Sequence, residues 1–144
     1  MYEEELDIMS RVINTDSPGK RRGHLMRTVA ELQRRLMKKA APDDEARDML
    51  ALAVFCLREI AATVRAAAEV WDERGYWKKA AAFETEWEWA AETAERIEAL
   101  LRREKWEEIP GILVLLADKT SAIEVNQFTR KPETWKDCRR RLEK

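Results

Sequence analysis

The chain is 144 residues long, 45% hydrophobic and 38% charged, with a formal net charge of −1. Those values fit one folded domain, residues 1–144, with a core of its own; they exclude a disordered chain, and the longest apolar run, 49–57, is too short to span a bilayer. The acidic start, Met1-Tyr2-Glu3-Glu4-Glu5, lacks the basic-then-apolar order of a signal peptide, and the two cysteines, Cys56 and Cys138, have no metal-ligand spacing, so the expected setting is the cytoplasm with free thiols.

Residues 3–13 predict a short helix with Leu6, Ile8, Met9, Val12 and Ile13 available for packing. A break follows at 14–17. Asp16 or Ser17 suits the cap of the next helix and Pro18 its first position. That helix is expected to run to about Lys39. Leu25, Val29, Leu32 and Leu36 share one narrow face, with Lys20, Arg27, Arg34 and Lys38 opposite. Residues 20–41 hold eight basic side chains and one acidic, and residues 129–144 hold seven basic and three acidic. Such asymmetry points either to an anionic partner or to segments that neutralise one another in the fold; the near-zero total favours the second.

Pro42 ends the basic helix, and Asp43-Asp44-Glu45 opens the next with acid at its positive end. Leu50, Leu57, Val64 and Trp71 recur every seven residues, with Ala53, Ile60 and Ala67 three further on. The partner pattern is Ala80, Trp87, Ala94 and Leu101, with Phe83, Ala90 and Ile97. Two seams of matched length joined by one short turn predict an antiparallel hairpin over 43–104. Leu52, Phe55 and Val70 point away from the seam, toward a second neighbour. Gly75 supplies the positive φ that stops the first helix. Gly75, Trp77, Ala80 and Phe83 resemble the turn of a tetratricopeptide repeat. No second copy occurs at that period, so no peptide-binding groove follows from the resemblance.

The helix from Trp77 carries an acidic stripe, Glu84, Glu88, Glu92 and Glu95. Away from stripe and seam lie Trp89, Ala82 and Leu100, a lane of apolar surface. Residues 102–106 hold neither glycine nor proline, which leaves that boundary open. Trp106, Ile109, Leu113 and Leu116 define another amphipathic helix with Pro110 in its first turn. Residues 120–130 read as irregular, and Pro132 opens a last short helix bearing Trp135 and Leu142. Trp77 and Trp106 are expected to close the bundle ends, while Trp89 and Trp135 have no core slot. The fold class is therefore all-α: an up-down bundle of four main helices with short N- and C-terminal helices.

Three functional readings follow. The favoured one is a non-catalytic interaction or scaffold protein, a homodimer whose interface includes Trp89, Ala82 and Leu100. The second is nucleic-acid or other polyanion binding through Lys20, Arg21, Arg22, Arg27, Arg34 and Lys38, since lysine and arginine on one helix face suit phosphates. The third rests on Glu45-x-x-Asp48 and Glu69-x-x-Asp72. These pairs resemble the carboxylate motifs of all-helical nucleoside triphosphate pyrophosphohydrolases of the MazG type, with Asp48 where that family has Glu. The resemblance implies magnesium held by Glu45, Asp48, Glu69 and Asp72 for attack on a nucleotide phosphate. The favoured reading calls for neither cofactor nor metal. The one histidine, His24, has no nucleophile placed beside it by the sequence.

Overall fold

A computed structural model describes residues 2–13 and 17–144, the side chain of Tyr2 excepted. Six helices follow one another: α1 (Tyr2–Ser10), α2 (Pro18–Met37), α3 (Asp44–Glu73), α4 (Trp77–Arg103), α5 (Ile109–Lys119) and α6 (Cys138–Leu142), with single 3₁₀ turns at Trp106–Glu108 and Pro132–Thr134. Among the described residues there is no strand, and no helix is long and apolar enough to cross a membrane.

α3 is the hub. It packs against α4 along most of its length, and against α2, α6 and α1 on its other sides. Its N-terminus is fixed by Asp43, whose side chain accepts the Ala46 N–H at 2.8 Å, a cap worth about 1 kcal/mol. Leu50, Ala53, Leu57 and Ile60 on the seam are fully buried, as are Ala90, Ala94, Ile97 and Leu101 opposite. Leu52 and Phe55, on the other side of α3, are buried too; Val70, expected to find a neighbour there, is 43% exposed. The hairpin turn has Gly75 at φ 83°, with the Tyr76 N–H donating to the Trp71 carbonyl at 2.8 Å.

α5 lies across α2 and α4 rather than on α3. The chain reaches it through Glu104, which takes the left-handed conformation at φ 53° and ends α4 without a glycine. The segment after α5 is held down by α2. Arg34 donates to the Thr120 hydroxyl at 2.6 Å and to the Thr120 and Ile123 carbonyls at 3.2 and 3.0 Å. Glu31, 1% exposed, accepts the backbone N–H groups of Thr129 and Arg130. Trp135 is 1% exposed, against the expectation that it lacks a core slot; its indole N–H donates to Glu45 at 3.3 Å.

α3 has 30 residues and α2 only 20, so the hairpin outruns α2 by roughly ten residues, or about 15 Å. The level at which α2 begins is fixed by two contacts. Arg21 pairs with Glu59 at 2.7 Å, and Arg22 donates to the Thr63 hydroxyl at 3.2 Å. Beyond them, from Glu69 to Lys79, every residue is exposed except the half-buried Trp71.

Candidate interaction surface

The six cations of the basic helix do not form one free face. Arg21 is joined to Glu59. Arg22 is half-buried over Phe83 and Trp87, at 4.9 and 5.7 Å from the ring centroids, and burial pulls its pKa below the ordinary guanidinium value. Arg34, placed opposite the apolar stripe by the helical wheel, is turned into the fold to hold the end of α5. Lys38 lies 4.9 Å over Phe128. Lys20 and Arg27 are exposed, with the Arg27 guanidinium 3.1 Å from His24 Nδ1. Of the six, Arg21 alone is in an ion pair among the described residues, while Arg22, Arg34 and Lys38 lie on rings, hydroxyls or carbonyls of the fold.

The carboxylate pairs are not brought together. All four stand on the single helix α3, and Asp48 and Asp72 are separated by about 36 Å of helix axis. Glu45 accepts from Lys39 at 2.6 Å and from Trp135, and the Lys39 hydrogen bond holds its pKa below the usual carboxylate range. Asp48 accepts the Arg139 N–H at 3.0 Å, and burial pushes its pKa up. Glu69 and Asp72 are exposed. Among the described residues no group of three or more His, Cys, Asp or Glu side chains is placed to hold a metal ion. A magnesium site built from Glu45, Asp48, Glu69 and Asp72 has no geometry here.

The expected lane on α4 is also broken. Leu100 is 1% exposed and belongs to the same buried cluster as Ile112 and Leu116 of α5. Trp89 is half-buried against that cluster, stacked on Trp87 at 5.9 Å, with the Lys119 ammonium 5.5 Å over its ring. Ala82 alone of the three is exposed. The intramolecular neighbour α5 does the covering that a second copy was expected to do.

Exposed apolar surface gathers elsewhere. One place is the end of the α3–α4 hairpin, where Val70, Tyr76 and Trp77 are 43%, 58% and 63% exposed. Trp71 lies beside them, edge-on to Phe83 at 5.0 Å. The Lys79 ammonium sits 4.5 Å over Trp71 and that of Lys78 lies 5.4 Å over Trp77. Trp77 thus faces water instead of closing the bundle end. The signal that locates this surface was in the helix lengths: α3 and α4 are longer than any element available to cover them. The other place is a groove of about 340 Å³ between the end of α2 and the start of α5, lined by Leu36, Met37, Trp106, Ile109, Leu113 and Val114. Its edges, Met37 and Val114, are 61% and 70% exposed.

No family model matches the chain, and no curated protein or solved structure shows significant similarity to it.

Proposed function

We propose that the chain is a non-catalytic interaction protein that associates with itself. The observation that carries this reading is the bare end of the α3–α4 hairpin. Scattered exposed apolar residues need no explanation, but here a tryptophan, a tyrosine and a valine are all exposed within the uncovered end of one hairpin. Tyrosine and tryptophan are the residues enriched at interface cores, because they bring large contact area with few rotatable bonds. The internal commitments of Arg21, Arg22, Arg34, Glu45 and Asp48 favour this reading over the polyanion and hydrolase ones. The setting we assign is the cytoplasm, consistent with Cys56 and Cys138 both being free and buried.

Sedimentation of the full chain over a range from low to high micromolar concentration tests the reading. The expected result is a mass that rises with concentration toward twice 16.9 kDa. A single species of 16.9 kDa throughout overturns it.

A further inference from the structure

The charges at the hairpin end stand in an order that their own helices disfavour. The last turn of α3 contains Asp72 and Glu73 and no basic residue; the first turn of α4 contains Lys78 and Lys79 and no acidic one. A helix ends in partial negative charge and begins in partial positive charge, so both sets oppose their own helix. The opposite ends of the same two helices follow the rule: α3 begins with Asp44 and Glu45, and α4 ends with Arg102 and Arg103. Nor are the hairpin-end charges paired with opposite charges, although Lys78 and Lys79 lie over the Trp77 and Trp71 rings. Glu69, Asp72, Glu73, Arg74, Lys78 and Lys79 take part in none of the ion pairs formed among the described residues, although such pairs are common over the rest of the surface.

We propose that a second copy of this chain docks on the hairpin end, across a two-fold axis near Gly75, with the Asp72 and Glu73 carboxylates of each copy meeting the Lys78 and Lys79 ammoniums of the other. This rests on the self-association proposed above and names its surface. A two-fold contact uses the same patch twice, so the patch must be complementary to itself. The hairpin end meets that condition: on the α3 side Asp72 and Glu73 outnumber Arg74 at the cap, and the α4 side carries Lys78 and Lys79, with Tyr76 and Trp77 between. Rotation about the axis sets the α3 end of one copy against the α4 start of the other. The ends of opposite dipole sign then face each other as well, and the unfavourable placements within each monomer become favourable ones between copies. The groove beside Met37 and Val114 offers no such self-complementary arrangement, since Lys39 at its edge is already paired with Asp43 and Glu45.

A charge exchange tests the proposal. One variant is Lys78→Glu with Lys79→Glu, which makes both sides of the end acidic. The other is Asp72→Lys with Glu73→Lys, which makes both basic. All four residues are exposed, so circular dichroism melting of each variant should show an intact helical fold. In sedimentation, each variant alone is expected to lose the dimer, because every contact then opposes like charges. An equimolar mixture is expected to regain it, because the acidic end of one fits the basic end of the other. A wild-type dimer whose two variants both stay dimeric overturns the docking surface and leaves self-association standing. Two monomeric variants that stay monomeric when mixed also overturn it. A wild type that is monomeric throughout removes the self-association reading itself.

Discussion

Glu31 on α2 and Arg130 in the loop before α6 are joined twice: the Arg130 backbone N–H donates to Oε2 at 2.9 Å, and its guanidinium approaches Oε1 at 3.4 Å. The Thr129 N–H adds a third bond at 2.9 Å and the Arg35 guanidinium a fourth at 3.0 Å. Burial by itself raises the Glu31 pKa, yet these donors outweigh it and the net shift is downward. Removing one member of a buried ion pair leaves the other charge without a partner. Glu31→Ala is therefore expected to cost roughly 3–5 kcal/mol in urea denaturation. A cost below about 0.5 kcal/mol, the usual surface range, would mean that the loop does not need this anchor.

Two carboxylates respond to pH in opposite senses. The folded pKa of Glu31 is depressed, so its contribution is present above the unfolded pKa and is lost as pH falls through the folded one. The folded pKa of Asp48 is raised, chiefly by burial, so ionising it at neutral pH works against the fold, and that penalty fades as pH falls through the raised pKa. An amide oxygen still accepts the Arg139 N–H that Asp48 Oδ1 accepts at 3.0 Å. Asp48→Asn is thus expected to raise the melting temperature at pH 7 and to lose that advantage in the carboxylate range. A variant that melts lower than wild type at pH 7 contradicts the assignment.

Core truncation on the seam should be costly. Leu57 and Ile60 are both 0% exposed at the middle of α3. Leu57→Ala or Ile60→Ala is expected to lose about 2–5 kcal/mol, the transfer term plus the cavity left behind. Chemical denaturation gives the value directly, and a loss inside the surface range would displace these residues from the core.

What the sequence displayed well was anything local or periodic. The heptads of Leu50 and Ala80 fix the hairpin, Gly75 its turn and Asp43-Asp44-Glu45 the start of α3, because each depends on neighbours within a few residues. What it hid depends on a third element. A helical wheel for α4 leaves Leu100 bare, since it knows only one partner; α5 supplies the second. Trp135 looks stranded in a short segment until α6 packs on α3 and Glu45 receives its N–H. Glu104 ends α4 in a conformation for which glycine is the usual marker, so nothing in the residue types announced the stop. The hairpin end escaped notice for the reverse reason. Trp77 and Val70 carry the seam's own chemistry, and only the shortness of α2 shows that nothing lies over them.

Arg27 and Arg34 are seven residues apart on α2 and share a face of the wheel, yet they should respond differently to charge reversal. Arg27 is exposed, and its one hydrogen-bonding contact among the described residues is with His24. Arg27→Glu is expected to stay within about 0.5 kcal/mol of wild type. Arg34 donates to the Thr120 carbonyl at the cap of α5, where backbone oxygens lack helical partners, and to the Ile123 carbonyl in the segment that follows. Arg34→Glu removes those donors and adds a carboxylate facing oxygens, at an expected cost of roughly 1.5–3 kcal/mol or more. Comparable melting of the two variants would mean that Arg34 is as free as the wheel implies.

The hairpin turn allows a clean separation of conformation from packing. Gly75 has φ 83°, and a Cβ built on it would meet nothing within 4 Å. Any cost of adding a side chain there comes from the left-handed backbone and not from a clash. For an L-residue that penalty is about 1–2 kcal/mol, and asparagine is among the residues that tolerate the conformation best. Gly75→Ala is therefore expected to lose about 1 kcal/mol, and Gly75→Asn less than that. The measurement belongs at protein concentrations where the chain is monomeric, because the proposed two-fold axis passes close to this residue. Equal stability of wild type and Gly75→Ala would show that the turn relaxes to negative φ without loss. A cost far above that of the backbone term would show that the hydrogen bonds around it, Gly75 N–H to the Asp72 carbonyl and Tyr76 N–H to the Trp71 carbonyl, are broken by the change.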